Sequence, residues 1–207
     1  MIIGIEGVSC TGKTTLAVAL AERIDRSLVI PCYFHSVADP STLPPPVAEN
    51  ERAQLAGLRA FLDVEQVRRD QALAGCADGR TVILDRTVDT LLAHTRAVGR
   101  LQGFDADETA RQITRQRRVA VPDVTLLLTA RFAVLRVRAV RRRGMPEIFY
   151  DARFTGAFME HFVDPISRVC ITLDGEQPAP ALLDNALDVL QGAAWRTVRT
   201  SSTGTPE

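Results

Sequence analysis

The chain has 207 residues, with 25 basic and 25 acidic side chains. Its 46% of hydrophobic and 24% of charged residues exclude a largely disordered chain, a collagen-like repeat and a disulfide-stabilised miniprotein. This length predicts a single domain over residues 1–195 and a flexible tail over 196–207. Because the opposite charges balance, no global basic field favours nucleic acid, and we expect a small ligand held by a local cluster of charges.

The four cysteines form no C-x-x-C pair and no metal-ligand spacing with a histidine. We therefore interpret them as reduced thiols and expect a cytoplasmic protein. No stretch approaches 18 apolar residues, and no basic segment followed by an apolar one stands at the start, so neither a membrane partner nor export is predicted. Of the 25 basic residues, 24 are arginine and one is lysine, Lys13, which makes that lysine informative.

Short apolar runs typical of β-strands alternate with longer segments of helical period. This alternation predicts an α/β fold of three layers, in which a five-stranded parallel sheet carries helices on both faces. The predicted strands cover residues 2–6, 27–34, 81–85, 124–129 and 169–173. The predicted helices cover residues 13–23, 48–74 with a break left open, 88–100, 106–118, 131–143, 149–161 and 180–191.

The segment after the first strand carries the most specific motif. It reads Gly7-Val8-Ser9-Cys10-Thr11-Gly12-Lys13-Thr14, which fits G-x-x-x-x-G-K-[ST] between an apolar strand and an amphipathic helix. Glycines let such a loop curl so that backbone N–H groups face a polyphosphate, while the lysine reaches the β- and γ-phosphates and the threonine hydroxyl ligates Mg²⁺. We therefore predict that ATP is bound by Gly7, Ser9, Cys10, Thr11, Gly12, Lys13, Thr14 and Thr15.

A second polar site follows the third predicted strand, which ends in Asp85 and Arg86. Open α/β sheets bind ligands at this carboxyl edge. We expect Asp85 to hold Mg²⁺ together with Thr14, and Arg86 to hold a substrate phosphate, with Lys13, Asp85 and Arg86 as catalytic residues. A helix cap followed by a surface arginine is the alternative interpretation, and the nearby phosphate loop favours the first one.

The phosphate loop is the first of four segments whose order is informative. After Ile5-Glu6-Gly7 and this loop come Val82-Ile83-Leu84-Asp85-Arg86-Thr87 with Thr90 and Ala93, then Val121-Pro122-Asp123-Val124-Thr125-Leu126-Leu127-Leu128, then the arginine-rich residues 136–144 and Glu147-Ile148-Phe149-Tyr150-Asp151. In this order they resemble the thymidylate kinase and deoxynucleoside kinase group of P-loop kinases. The resemblance implies a P-loop kinase fold with a mobile lid, ATP and Mg²⁺ as cofactors, and phosphoryl transfer to a nucleoside or a nucleoside monophosphate.

Three departures from the thymidylate kinase pattern involve four positions. Ser9 replaces an aspartate that contacts the sugar, Thr87 replaces an aromatic residue, and His94-Thr95 replace a Tyr-Gln pair near the base. The acceptor is therefore open between a nucleoside, a nucleoside monophosphate and another sugar or antibiotic hydroxyl. A P-loop nucleotide-binding regulatory protein without kinase activity is the alternative from another class.

The arginine-rich segment is expected to form a lid over about residues 141–148. Phosphoryl transfer needs cations on the moving group, and a helix end that runs into Gly144 and Pro146 can deliver them. We predict that Arg142 and Arg143 are catalytic and that Arg138 contacts ATP. In the alternative interpretation, these arginines only complement the dipole of the helix.

Two further pairs of polar residues are candidates for the acceptor side. Glu65 and Arg68, on the long second helix, either contribute to the acceptor site, as the resemblance implies, or form a surface pair. His35 and Asp39 are candidates for a general base toward a hydroxyl acceptor, with an ordinary loop role favoured for His35. The expected partner is a small-molecule acceptor, without nucleic acid or membrane, and a homodimer is left open.

Overall fold

Five parallel strands form one sheet in a computed structural model that describes residues 1–142 and 144–201, with side chains as far as Gly192. The strands are β1 (Ile2–Glu6), β2 (Ser27–Ile30), β3 (Thr81–Asp85), β4 (Val124–Thr129) and β5 (Cys170–Asp174). Their order in the sheet is β2-β3-β1-β4-β5, with β1 hydrogen-bonded to both β3 and β4. The carboxyl ends of all five strands therefore meet at one edge, and the predicted parallel sheet is confirmed.

Helices cover both faces of this sheet. They are α1 (Lys13–Arg23), α2 (Glu51–Ala77), α3 (Val88–Gln102), α4 (Asp107–Arg115), α5 (Phe132–Val140), α6 (Ala152–Glu160) and α7 (Ala179–Ser201). Short 3₁₀ turns cover Tyr33–His35, Pro40–Thr42, Glu147–Tyr150 and His161–Val163. The predicted three-layer α/β architecture is thus confirmed.

The core divides between the two faces because successive side chains of a strand point to opposite sides. In β4, Leu126 and Leu128 pack with α1 and α7, whereas Leu127 packs with α3, α5 and α6. Each of these leucines is at most 5% exposed. Burial of such a side chain stabilises the fold by roughly 1.5–3 kcal/mol. The sheet is therefore fixed from both sides, and its carboxyl edge is a rigid support for loops.

Several boundaries differ from the predicted ones for identifiable reasons. Strand β2 ends at Ile30 rather than at residue 34, because Pro31 has no N–H for a strand ladder and the chain turns into the 3₁₀ segment Tyr33–His35. Helix α2 is continuous, so the break left open within it does not occur. Helix α6 begins only at Ala152, where the Asp151 side chain accepts hydrogen bonds from the N–H groups of the first turn.

Two differences concern predicted functional segments. Helix α5 ends at Val140 rather than at residue 143, so Arg141 and Arg142 lie beyond the helix. Helix α7 continues to Ser201, into the predicted tail. The predicted catalytic residue Arg143 and the tail residues 202–207 lie outside the described residues.

The helices of the described ranges 1–142 and 144–201 include none that is both long and apolar enough to cross a membrane. Cys10, Cys32, Cys76 and Cys170 are free thiols.

Candidate active site

The phosphate loop connects the carboxyl end of β1 to α1 and lies against the backbone of β4. A Cβ atom on Gly7 would lie 2.3 Å from the Leu128 carbonyl oxygen, and the φ angle of Gly7 is +133°. Gly12, directly before α1, has a φ of +105°. Side chains at these two positions would be strained, and at Gly7 would also collide with β4. Glycine at both motif positions is therefore required by the shape of the loop.

Lys13 is buried inside this loop. Its Nζ donates to the Val8 carbonyl oxygen at 2.6 Å, and the Thr11 hydroxyl donates to the same oxygen at 3.0 Å. Burial, assisted by the positive charge of Arg86, lowers the pKa of Lys13 to about 7, while Asp85 acts in the opposite direction. An anion bound in the loop would favour the charged ammonium.

Thr14 and Asp85 join the phosphate loop to the end of β3. The Thr14 hydroxyl donates to Asp85 Oδ2 at 2.6 Å. Asp85 is 2% exposed, and its Oδ1 has no hydrogen-bond partner among the described residues. A buried carboxylate oxygen without a donor, beside a hydroxyl, is a donor set that fits a hard cation such as Mg²⁺. The helix-cap interpretation of Asp85 is wrong, because Thr87 is the residue that caps α3.

Glu6, at the end of β1, is a site residue that the sequence did not single out by its own chemistry. Its fully buried carboxylate accepts four hydrogen bonds, from the backbone N–H and the hydroxyl of both Thr87 and Thr90, at 2.5–3.1 Å. Burial raises its pKa, and Arg86 opposes this effect. Its sequence signals are its place at the end of a buried strand and within the Ile5-Glu6-Gly7 segment of the resemblance. Glu6 anchors the turn between β3 and α3.

Arg86 occupies that turn in a left-handed backbone conformation, with a φ of +71°. Its N–H donates to the Ile5 carbonyl oxygen at 3.0 Å, and its guanidinium donates to the Thr90 hydroxyl at 3.2 Å. The side chain is partly buried and lines the larger of two cavities that flank the phosphate loop.

The smaller cavity, of about 300 Å³, lies on the outer side of the loop. Arg138 of α5 reaches it and donates to the carbonyl oxygens of Gly175 and Cys10, at 2.8 and 3.4 Å. Its wall includes the predicted nucleotide-binding residues Cys10, Thr11, Gly12, Thr15 and Arg138, together with Gly175 and Gln177. Gln177 and Gly175 follow β5 and were not predicted.

The larger cavity, of about 1380 Å³, lies on the opposite side of the loop. Its wall is mainly apolar and draws on segments that are far apart in the chain. It includes Phe34 and Phe61 on one side, Phe149 and Phe154 on another, the proline-rich residues 44–46, and the polar residues Ser9, Thr14, Gln54, Arg86, His94 and Thr95.

His94 and Thr95 supply part of the polar chemistry of this wall. Burial lowers the pKa of His94 to about 4, so the imidazole is neutral near pH 7. Gln54 Nε2 donates to the Thr95 hydroxyl at 3.2 Å. His94, Gln54 and Thr95 are therefore neutral hydrogen-bonding groups in a wall that also contains the charged Arg86.

Arg142 lines both cavities. Gly144, which has a φ of +76°, and Pro146 follow in the same segment, after Arg143, which lies outside the described residues. Arg142 directly follows the C-cap residue Arg141, so the helix-dipole interpretation of this arginine stands beside the catalytic one. The catalytic roles of Arg142 and Arg143 stay predictions.

The other candidate pairs lie elsewhere. Glu65 and Arg68 form the i,i+3 pair at 2.7 Å, but the pair is fully buried rather than at the surface, and neither side chain lines the acceptor cavity. Their position was visible in the spacing of the buried face of α2, Leu55, Leu58, Leu62, Glu65, Arg68 and Ala72.

His35 and Asp39 are both exposed. His35 lines the larger cavity, with its Nδ1 3.3 Å from Cys32 Sγ. Asp39 instead accepts a hydrogen bond from the Ser41 N–H and is not among the residues lining that cavity.

Known proteins resemble this chain in fold but not in sequence. The chain matches no protein-family profile and no curated protein sequence. Among solved structures, thymidylate kinase from Candida albicans aligns with a TM-score of 0.69 and 19% identity, over 92% of this chain and 91% of that chain. Deoxyadenosine kinase from M. mycoides, in a structure with dCMP and dCDP bound, aligns with a TM-score of 0.65 and 15% identity. This alignment covers 93% of this chain and 100% of that chain. The dATP-bound structure of the same kinase aligns with a TM-score of 0.66 and 14% identity, over 92% of this chain and 100% of that chain. The resemblance to this group of P-loop kinases is confirmed at the level of the fold.

Proposed function

We propose that the protein is an ATP-dependent kinase that phosphorylates a nucleoside or a nucleoside monophosphate. The observation that carries this proposal is the pair of cavities on opposite sides of the phosphate loop, with Arg142 in the wall of both. A protein that only bound a nucleotide would need the outer cavity alone. The second cavity, with Arg86 in its wall beside the phosphate loop, supports transfer to a second substrate.

On this proposal, ATP occupies the loop and the outer cavity. The loop N–H groups and Lys13 hold the β- and γ-phosphates, and Arg138 lies beside the nucleotide. Thr14 and Asp85 would hold Mg²⁺, which when bound neutralises charge on the phosphates. The similar deoxyadenosine kinase from M. mycoides has structures with dATP bound and with dCMP and dCDP bound, which supports a nucleotide as a ligand of this chain.

The acceptor occupies the larger cavity with its reacting group toward the loop. Arg86 orients that group and binds a phosphate if the acceptor carries one, while the aromatic walls hold the rest of the molecule and exclude water. The volume of this cavity, about 1380 Å³, exceeds the usual range of small-ligand pockets. For this reason a larger hydroxyl acceptor is the second candidate, and a cytoplasmic enzyme is proposed in either case.

The test is a screen of ATP consumption with nucleosides, nucleoside monophosphates and larger hydroxyl compounds as acceptors. Lys13→Ala is the matched control, because no other lysine can replace it in a chain with one lysine. We expect acceptor-dependent ADP formation that Lys13→Ala abolishes. If no acceptor raises turnover above background hydrolysis although ATP binds, the protein is a nucleotide-binding regulator rather than a kinase.

Once an acceptor is found, Arg86→Ala separates the acceptor classes. A strong rise in the KM for the acceptor is expected only if the acceptor carries a phosphate.

A further inference from the structure

We infer that Arg68 is a positioning residue for Arg86: its buried guanidinium holds the turn between β3 and α3 in the conformation that brings Arg86 to the acceptor cavity. This inference rests on the proposed function, in which Arg86 acts on the acceptor. Arg68 does not line either cavity, and its side chain is fully buried. Its effect on the reaction would therefore pass through the backbone.

The contacts of Arg68 use all three guanidinium nitrogens. One terminal nitrogen donates to the carbonyl oxygens of Asp85 and Arg86, at 3.2 and 2.7 Å. The other donates to Glu65 at 2.7 Å, and Nε donates to the Pro31 carbonyl oxygen at 3.1 Å. A single planar group thus ties the ends of two neighbouring strands, β2 and β3, to helix α2. A lysine has the same charge but lacks this fork of donors.

Glu65 and Tyr33 hold the guanidinium in place. Glu65 accepts hydrogen bonds from the Tyr33 hydroxyl at 2.9 Å and from the Ala120 N–H at 3.1 Å, in addition to the one from Arg68. The ring of Tyr33 stacks on Arg68, with its centroid 4.2 Å from Cζ. The buried charges are therefore paired, and each carboxylate oxygen has a donor. A network satisfied in this way has one arrangement and can fix a backbone rigidly.

The turn that Arg68 holds needs such support. Arg86 has a φ of +71°, a left-handed conformation that is unfavourable for a residue with a side chain. Glu6 anchors one side of the turn through the N–H groups of Thr87 and Thr90. Arg68 anchors the other side through the two carbonyl groups. Without it, the turn can relax and move the Arg86 guanidinium relative to the phosphate loop.

The experiment compares Arg68→Lys with Arg69→Lys, a matched control at the next position, where the arginine forms an exposed pair with Asp70. We expect Arg68→Lys to lower kcat about 10²-fold per folded molecule, the scale of a misplacement of about 1 Å, and to leave the KM for ATP within threefold. Hydrogen exchange of the backbone over residues 85–90 should become faster in Arg68→Lys only. Arg69→Lys should match wild type in all three measurements.

A second variant covers the case in which Arg68→Lys does not fold. Glu65→Gln removes the charge that orients Arg68 and should show the same loss of kcat and the same faster exchange. Folded variants that keep wild-type kcat and wild-type exchange at residues 85–90 would overturn the inference, as would slower turnover with unchanged exchange. The proposed function fails separately, if wild type phosphorylates no acceptor, and the exchange measurement then still decides whether Arg68 holds the turn.

Discussion

At Lys13, burial disfavours the charged form of the side chain. Its ammonium is held inside the phosphate loop, and burial lowers its pKa to about 7, so near neutral pH a large fraction of the nucleotide-free protein carries an uncharged lysine. Polyphosphate in the loop would restore the ordinary, higher pKa, because an adjacent anion favours the charged form. Nucleotide binding should therefore be linked to protonation.

We predict that ATP binding at pH 8 takes up about one proton at Lys13, and that affinity falls as pH rises above about 7, by up to tenfold per unit. Calorimetric titrations in two buffers of different ionisation enthalpy measure this uptake. Lys13→Met, which cannot be protonated, should lack it. Equal proton uptake in the variant and wild type would show that another group titrates.

His94 gives a second dependence on pH, this time of stability. Its pKa is lowered to about 4 in the folded protein, from an ordinary value of 6.5. Between these values the unfolded chain binds a proton that the folded chain does not, so stability present above pH 6.5 is lost as pH falls toward 4. We predict that wild type loses about 2 kcal/mol more than His94→Asn between pH 7 and pH 4.5, as measured by urea unfolding at both pH values. Parallel losses would contradict a lowered pKa of the half-buried His94.

At the scale of elements, a buried contact between Asp89 and His161 fixes the segment before β5 to helix α3. Asp89 accepts hydrogen bonds from His161 Nε2 at 2.8 Å and from the N–H groups of Ile166 and Ser167 at 2.8 and 3.3 Å. Both members of the pair are at most 3% exposed. Loss of the carboxylate leaves three donors without their partner, at the buried His161 and Ser167 and at the half-buried Ile166.

We therefore predict that Asp89→Ala lowers the free energy of unfolding by about 3 kcal/mol or more, because each donor left without a partner in the interior costs about 1–3 kcal/mol. Asp164→Ala, in the same region, is the control: its side chain is 87% exposed and pairs with Arg111, so we expect a loss of about 0–1 kcal/mol. Urea unfolding of both variants makes the comparison. A similar loss for the two would mean that the Asp89 network contributes little.

The elements that sequence predicts well are those in which local pattern and burial agree. Strands β1, β3 and β4 have the predicted bounds, because each is a mainly apolar run in which every residue but one terminal residue is buried. Strand β2 was extended too far because the aromatic residues after Pro31 have high strand propensity, whereas Tyr33 is buried against α2 instead. Glu65 and Arg68 were misplaced because charged residues on a helix are usually solvated, and only pairing makes their burial favourable.

The candidate site divides in the same way. The residues of the phosphate loop are consecutive in the sequence, and so are Asp85 and Arg86, so a local motif predicts each of them. The walls of the larger cavity combine Phe34, Phe61 and Phe149 from three separate segments, and no local pattern relates them. Glu6 has no motif of its own, since its four hydrogen bonds exist only after α3 has docked beside β1.

At the scale of the whole molecule, two cavities lie beside the phosphate loop, and Arg142 lines both of them. Arg142 lies beyond the end of α5, in the segment expected to close as a lid. A cation delivered by closure acts mainly on charge that develops during transfer, and so contributes little to the binding of ATP in the ground state.

We predict that Arg142→Ala lowers kcat about 10³-fold or more, with a much smaller change in ATP affinity, and that Arg142→Lys restores only part of the rate. Steady-state kinetics and a direct measurement of ATP binding separate the two effects. Arg141→Ala, a change at an exposed neighbour that lines neither cavity, should remain close to wild type. An equal loss in both variants would indicate a general effect of charge in this segment.

The single lysine also gives the folded chain one peptide bond, Lys13-Thr14, that a lysine-specific protease can cut. That bond lies in the first turn of α1, beneath the phosphate loop, with Lys13 only 5% exposed. Cleavage therefore requires the loop and the start of the helix to open, and its rate reports the free energy of this one local opening. Two fragments, cut between residues 13 and 14, would be the complete product. Every ligand that binds in the loop should slow cleavage of the Lys13-Thr14 bond in proportion to the fraction of protein that it occupies, whatever reaction the protein catalyses.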